Sequence, residues 1–206
     1  SSSTTSTESI AASESSAEST ESTASGDSTP AASGDATAIF TPKTVDAAKT
    51  ISLNAGMEPT GLNTLTSTYS IEFALFKHMY ENLVTLDDDD NTAPGAAESW
   101  DYDEDTLTYT FHLRQGVKWH DGEPFTAQDV KFTIEAIMDP DNGSENAPNY
   151  EDVQEITVLD DHTVSFRLAE PNAAFLEYMT MAILPQHLLE GKDMQESAFF
   201  RAPVGT

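Results

Sequence analysis

Hydrophobic and polar residues alternate over two stretches of the chain, and this pattern predicts two β-hairpins. The apolar positions of the first stretch are Leu107, Tyr109, Phe111, Leu113, Val117 and Trp119. Successive side chains of a strand point to opposite faces, so a period of two gives each strand one buried face. The first hairpin is predicted to turn at Gln115-Gly116, and the second, Ile156 to Leu168, at residues 160–162.

Other stretches carry apolar residues at helical spacing. Residues 69–84 and 126–138 show it most clearly. Thr126 and Asp129 stand three residues apart, as in a capping box, so the second helix should begin there. Shorter helices are predicted at residues 171–181 and 184–191, and a first strand at residues 50–55. The mixture of strands, hairpins and helices predicts the α/β class.

The first 38 residues differ in composition from the rest of the chain. They hold 20 Ser or Thr, six Asp or Glu, no Lys or Arg, and one large apolar residue, Ile10. A segment of this kind buries too little surface to offset its chain entropy, which predicts a disordered spacer. The predicted domains are therefore a spacer at residues 1–45 and a folded region at residues 46–206.

The balance of charge argues against some partners. A formal net charge of −27 disfavours nucleic acid and anionic membrane surfaces, since both attract basic patches. The sequence has no Cys, which excludes disulfides, thiolate metal sites and a Cys nucleophile within it. No run of 18 apolar residues is present, so the sequence predicts no membrane-spanning helix.

His120-Asp121 is the most conspicuous pair of catalytic residue types. Neighbouring residues of a strand point to opposite faces, and His-Asp-Gly is typical of a turn. No nucleophile motif accompanies the pair. The sequence therefore favours a structural turn and no catalytic residue. The alternative from another class of protein is a small secreted acidic hydrolase that uses His120 and Asp121.

Two acidic runs partly resemble calcium-binding loops. Asp87 to Asn91 is followed by Glu98 at the twelfth position, but Thr92 replaces the required Gly. Residues 101–105 place His112 where the loop needs a bidentate Glu. No H-x-x-x-H or H-E-x-x-H array is present for zinc. We expect solvated turns, no metal and no cofactor, with a calcium-dependent interaction module as a further alternative.

Aromatic residues are the remaining candidates for a ligand site. Trp100 and Trp119 fall on the predicted hairpin sheet, which favours a core position for both. Tyr69 and Tyr150 follow loops rich in Asn, Ser, Thr and Pro. Aromatic residues beside adaptable polar groups are common in binding loops, although surface loops have the same composition.

Several longer motifs occur in order between residues 80 and 206. They are YENLV at residues 80–84, AAESWDYDEDTLTYTFHLRQGVKWHDGEPFTAQDVKFTIE at residues 96–135, VLDDHTVSFRLAEPNAAFL at residues 158–176, ILPQHLLEG at residues 183–191, and APVGT at residues 202–206. Together they resemble the family 5 extracellular solute-binding proteins, which are the peptide- and nickel-binding components of ABC importers. The resemblance implies a periplasmic-binding-protein-like type II fold that closes over its ligand without chemistry. It also implies that residues 46–206 are the N-terminal portion of that fold: the start of the main lobe plus an accessory subdomain at residues 67–181.

The resemblance also implies ligand contacts and partners. The family contacts its ligand through the segment after the first strand and through a loop of the accessory subdomain. The matching positions are Thr68, Tyr69, Ser70, Ile71, Asn149 and Tyr150. The expected ligand is a short peptide, with nickel chelates or oligosaccharides as alternatives within the family. The expected partners are the permease subunits of an importer. We expect a monomer on the extracellular face of the membrane, anchored by lipid through an N-terminal Cys that this sequence does not contain.

Overall fold

The computed structural model describes residues 61–206. The predicted spacer at residues 1–45 and the predicted strand at residues 50–55 lie outside the described residues. The proposed domain boundaries therefore stay predictions. The helices of the described part are α1 (Ser70–Phe76), α2 (Ala127–Met138), α3 (Phe175–Tyr178) and α4 (Gln186–Leu189), and the strands are β1 (Val84–Leu86), β2 (Thr92–Pro94), β3 (Ala97–Asp103), β4 (Thr108–Leu113), β5 (Val153–Asp160) and β6 (Thr163–Leu168).

A four-stranded antiparallel sheet forms the centre of this part, in the order β3-β4-β6-β5. Its two inner strands show the alternation that the sequence predicts: every second residue of β4 is buried, and so are three of the six residues of β6. Phe111 pairs with Val164 and Tyr109 with Phe166, and these side chains share the buried face. The second predicted hairpin is confirmed as β5 and β6.

The prediction of the first hairpin is wrong, because it gave β4 the wrong partner strand. β4 pairs with β3, which precedes it, and residues 117–119 form no strand beyond an isolated bridge between Lys118 and Pro124. β3 lies at the edge of the sheet and is mostly exposed, so it lacks the alternation that marks a half-buried strand. The Tyr102 ring of this strand stacks on the ring of Tyr109, with 4.3 Å between the two ring centroids.

Helix α2 confirms the predicted helix and its start. The Thr126 hydroxyl accepts from the Gln128 N–H at 3.3 Å, and the Asp129 carboxylate accepts from the Thr126 N–H at 2.8 Å. This reciprocal arrangement satisfies donors that a helix start otherwise leaves unpaired. The buried face of α2, which includes Val130, Ile134 and Ile137, packs against β5 and β6.

The predicted helix at residues 69–84 is too long. Helix α1 ends at Phe76, and Val84 opens β1 instead. The backbone of this segment forms hydrogen bonds with residues far away in the sequence. The Val84 N–H donates to the Met179 carbonyl, and the Asn82 carbonyl accepts from the Ala96 N–H. Those tertiary bonds replace the helical ones. The two short helices α3 and α4 also occupy only part of their predicted ranges.

The last residues tie α1 to the turn at residue 120. The His120 N–H donates to the Gly205 carbonyl at 2.8 Å, and the Thr206 N–H donates to the Met79 carbonyl at 3.2 Å. The Thr206 hydroxyl accepts from the Glu81 N–H at 2.7 Å. A Cβ atom at position 205 would lie 1.6 Å from the Met79 oxygen, so only Gly fits there. Among residues 61–206, no helix has the length and apolarity to cross a bilayer.

Candidate ligand-binding surface

The predicted segment at residues 68–71 lies at the start of α1. Thr68, Tyr69 and Ser70 are exposed, and Ile71 is half-buried. Tyr69 has 48% of its surface accessible, which is unusual for a large aromatic residue in this chain. Its backbone carbonyl accepts hydrogen bonds from the N–H groups of Glu72 and Phe73, which places Tyr69 at the N-cap of α1. The segment therefore presents an aromatic ring and two hydroxyls to solvent.

Thr68 and Tyr69 line a small pocket of about 160 Å³, together with Gly61, Asn63, Thr66, Ser67 and Glu72. Glu72 is only 1% exposed. Its carboxylate accepts from the Gly61 N–H at 3.1 Å and from the Ser67 hydroxyl at 2.6 Å, and so holds the loop against the helix. Pockets for whole ligands enclose roughly 300–1,000 Å³, so this one accommodates part of a ligand.

Tyr150 does not belong to an open site in this structure. It ends the 3₁₀-helix Ala147–Tyr150, is fully buried, and donates its hydroxyl hydrogen to the Tyr178 carbonyl at 2.6 Å. Burial raises the pKa of this phenol, so it stays a neutral donor. Tyr150 is thus packed into the core here, and its expected role as a ligand contact stays a prediction. Asn149 is half-buried, and neither residue lines the pocket near Tyr69.

The interpretation of His120-Asp121 as a turn is confirmed. The Gly122 N–H donates to the Trp119 carbonyl, and the Asp121 carboxylate accepts from the Glu123 N–H at 3.1 Å. The partner of Asp121 is not His120 but His187, whose Nε2 lies 2.8 Å from Oδ2. This pair fastens the turn to α4. The hydrolase alternative therefore gains no support from the geometry at His120.

The electrostatics of Asp121 follow from this contact. Partial burial raises the pKa of the carboxyl, but the hydrogen bonds from His187 and from the Glu123 N–H outweigh it, and the pKa lies below its usual range. The sequence offered no signal for the pair, since 66 residues separate its members. Only the fold brings α4 to the turn.

A second polar cluster joins α2 to the start of α4. Asp129, only 3% exposed, accepts at Oδ2 from the Trp119 indole N–H at 3.3 Å and at Oδ1 from the Gln186 N–H at 2.9 Å. Thr133 donates to the Asp129 carbonyl at 2.7 Å and accepts from the Leu184 N–H at 2.8 Å. Burial raises the pKa of Asp129 despite these bonds. The sequence predicted Asp129 only as part of the capping box of α2, and its contact with Gln186 was not predicted.

The acidic runs form self-contained turns. The Asp87 carboxylate accepts from the N–H groups of Asp89 and Asn91, both at 2.9 Å, and these bonds lower its pKa. Asp103 does the same with Asp105 and Thr106. Within residues 61–206, no group of three His or acidic side chains is placed to hold a metal ion. The calcium alternative gains no support from this part of the chain.

A larger groove of about 710 Å³ lies beyond the C-terminal end of α1, where the sequence indicated nothing. It runs between the end of α1, the strands β1 and β2, and the segment around residue 180. Its lining consists of Phe73, Lys77, Tyr80, Glu81, Asn82, Thr85, Leu86, Pro94, Gly95, Arg114, Thr180 and Met181. Because the residues are scattered over four segments, no local pattern marks the groove.

Comparison with known proteins gives the family of this chain. The family described as "Bacterial extracellular solute-binding proteins, family 5 Middle" matches residues 91–206. The chain therefore belongs to the family 5 extracellular solute-binding proteins.

Individual relatives agree with this assignment. The chain is 38% identical over 138 residues to di/tripeptide-binding protein 1 of Pseudomonas aeruginosa, covering 55% of this chain and 25% of the relative. NikZ of Campylobacter jejuni in complex with Ni(L-His) is 35% identical, with a TM-score of 0.67 over 73% of this chain and 30% of NikZ. AppA of Bacillus subtilis, an oligopeptide-binding protein in complex with a nonapeptide, is 31% identical, with a TM-score of 0.67 over 72% of this chain and 31% of AppA.

These solved structures confirm the predicted fold class, a periplasmic-binding-protein-like type II fold of mixed helix and sheet. The chain spans 25% of the length of the curated relatives it matches first. The match also confirms the resemblance to peptide- and nickel-binding proteins on which the expected site residues rest.

Proposed function

We propose that this chain is part of the substrate-binding component of an ABC importer, and that it captures short peptides outside the cytoplasm. The observation that carries the proposal is the family match over residues 91–206, which includes the whole four-stranded sheet and all of α2. Relatives named as peptide-binding support the ligand class. The family is one of solute-binding proteins, so capture and delivery, not turnover, is the proposed activity.

The proposed contact surface is the start of α1. Thr68, Tyr69, Ser70 and Ile71 combine an exposed ring with hydroxyl groups and a half-buried aliphatic side chain. A peptide offers alternating backbone polar groups and side chains. The hydroxyls of this surface can hydrogen-bond to the backbone groups, and its apolar groups can pack against the side chains. Asn149, which is half-buried, and Tyr150, which is buried, stay proposed contacts from the accessory subdomain.

A nickel chelate is the second candidate ligand, and the similarity to NikZ favours it. An imidazole-bearing chelate supplies most of its own metal ligands, so a protein can hold it through polar contacts.

The proposed partners are importer permease subunits, and the proposed location is the outer face of the membrane with a lipid anchor. We propose a monomer, since one copy of a solute-binding domain suffices for capture.

Native mass spectrometry of the protein isolated gently from its source cells tests the ligand class. We expect a spread of co-purified masses that fragment as short peptides. A single mass with the isotope pattern of nickel would contradict the peptide proposal and favour the chelate. Recovery of neither class, after buffer exchange alone, would contradict both.

The proposed surface has its own test. Replacing Tyr69 with Ala should lower the amount of co-purified peptide about tenfold, because an aromatic anchor at a binding surface commonly contributes 1–2 kcal/mol. Tyr102→Ala is the matched control, since Tyr102 is also exposed but lies on edge strand β3. Equal peptide occupancy in the two variants would remove residues 68–71 from the site.

A further inference from the structure

The groove of about 710 Å³ beyond α1 holds two basic side chains that form no ion pair within the described part of the chain. Lys77 and Arg114 both line it, whereas Lys131 and Arg167 pair with Glu135 and Glu155. Arg114 uses its Nε–H on the Gly95 carbonyl at 2.7 Å, which positions the guanidinium at the groove. In a chain of net charge −27, two basic groups without acidic partners mark a locally favourable place for an anion.

A buried hydroxyl at the same groove has no hydrogen-bond partner. Tyr80 lines the groove and is 5% exposed, and its hydroxyl bonds to nothing within residues 61–206. The Thr64 hydroxyl is also unpartnered, and it lines an adjoining cavity of about 60 Å³ that shares Phe73, Lys77 and Asn82 with the groove. Buried hydroxyls almost always have partners, so an unpartnered pair beside one cleft needs an explanation.

The lining of the groove also includes four apolar side chains. Phe73, Leu86 and Pro94 are exposed, and Met181 is half-buried. Large apolar side chains that stay exposed in a compact unit often mark a contact surface. Glu81 is the one acidic group in the lining, so the two basic side chains leave the groove with a net charge of +1.

We propose that this groove is a second ligand site, separate from residues 68–71, for a small carboxylate that carries an apolar group. The carboxylate lies against Lys77 and the guanidinium of Arg114, and the apolar group covers Phe73, Leu86 and Met181. Tyr80 donates its hydroxyl hydrogen to the same carboxylate. A carboxylate accepts several donors at once, which suits a site with two basic groups and one hydroxyl.

The probe for this site is N-acetyl-L-leucine, with N-acetyl-L-leucinamide as its counterpart, because the two differ only in that the second has a neutral amide in place of the carboxylate. We expect N-acetyl-L-leucine, titrated into the isotope-labelled 206-residue chain, to shift the backbone amide resonances of residues 77–86 and 180–181. N-acetyl-L-leucinamide should shift them at least tenfold less at equal concentration. Shifts centred on residues 66–72, or equal shifts with both probes, would overturn the proposal.

Two variants separate the site from a general charge effect. Lys77→Gln should weaken binding of N-acetyl-L-leucine about three- to tenfold, while Lys192→Gln, which removes the same charge from an exposed position outside the groove, should leave it unchanged. Tyr80→Phe should weaken binding by a similar factor, since one hydrogen bond to the ligand is lost. Equal losses in Lys77→Gln and Lys192→Gln would mean that charge alone attracts the probe.

The groove has one competing occupant that the same spectra detect. If the resonances of residues 77–86 shift with protein concentration in the absence of any probe, a second copy of the chain covers the groove and the proposal is wrong. The test is independent of peptide capture at Tyr69: loss of co-purified peptide would leave these shifts unaffected, and loss of these shifts would leave peptide capture unaffected.

Discussion

Two regions of the molecule differ in whether all their buried polar side chains have hydrogen-bond partners. In the scaffold region, which we define as the four-stranded sheet with α2 and α4, Asp129 and Thr133 are buried and fully engaged in hydrogen bonds. In the groove region, which we define as the chain from α1 through β2, the buried Glu72 is hydrogen-bonded, but the buried hydroxyl of Tyr80 has no partner within residues 61–206. A satisfied polar cluster stabilises one arrangement, whereas an unsatisfied one is the usual mark of a site awaiting a ligand or water.

The difference extends to hydrophobic packing. The scaffold region buries Phe111 and Phe166 completely, in edge-to-face contact at 5.7 Å. In the groove region Phe73 keeps 38% of its surface exposed, although its ring packs edge-on against that of the buried Phe76, with 6.0 Å between the ring centroids. The well-packed core and the proposed groove site thus lie in different parts of the chain, and chemically matched substitutions should have unequal effects in the two regions.

The largest expected effect comes from a pair of Phe substitutions. Phe111→Ala should lower the free energy of unfolding by about 4 kcal/mol, because it opens a cavity at the centre of the sheet. Phe73→Ala should lower it by less than about 1 kcal/mol, since much of that ring already faces solvent. Chemical denaturation of both variants measures the difference. Equal losses would contradict the division into two regions.

The next effect concerns Asp129. An Asn at this position has one acceptor oxygen in place of two, so a donor from either Gln186 or Thr126 would face an amide N–H₂ group. We expect Asp129→Asn to lower the free energy of unfolding by about 2–3 kcal/mol at neutral pH. Asp105→Asn, at an exposed turn, is the control for the lost charge and should be nearly neutral.

The pH dependence of that loss has a definite sign. Burial raises the pKa of Asp129 above its unfolded value, so the folded state binds the proton more tightly. As the pH falls toward the unfolded pKa of about 4, the wild-type chain gains stability that the Asn variant lacks. The difference between them should therefore widen from pH 7 to pH 4, and a difference that narrows would contradict the raised pKa.

Two buried tyrosines give a smaller but more direct test. Tyr150→Phe removes the hydrogen bond to the Tyr178 carbonyl and should cost about 1–2 kcal/mol. Tyr80→Phe removes a hydroxyl that bonds to nothing in the described part of the chain, and should raise the free energy of unfolding by up to about 1 kcal/mol. Thermal denaturation of the two variants should move the midpoint in opposite directions, and a loss in both would show that Tyr80 has a partner.

The smallest effect belongs to the contact between Asp121 and His187. Hydrogen bonds to the carboxylate hold the pKa of Asp121 below its unfolded value, so its contribution is present above about pH 4 and is lost as the pH falls through the folded pKa. Asp121→Asn should cost less than about 1 kcal/mol at pH 7, and the cost should shrink as the pH falls below about 4. His187→Gln should reproduce the loss, and the double variant should add nothing to it.

Local patterns predicted those parts of the fold that local interactions stabilise. Helix α2 begins where Thr126 and Asp129 form a capping box, and β5 and β6 show alternation around a turn of polar residues. Helix α1 was predicted too long because Met79 and Leu83 continue the apolar spacing, although the backbone there bonds to residues 96, 179 and 206 instead. Strand β3 was missed because an edge strand buries too little of either face to show a period.

The sequence by itself determined the α/β class, the capped helix, the second hairpin and the motifs by which the family is recognised, because each depends on residues close together in the chain. Only the tertiary structure decided that Asp121 meets His187, that Tyr150 is buried, and that Lys77, Tyr80 and Arg114 line one groove. These are contacts between residues far apart in sequence, and their geometry exists only after the sheet and helices have packed.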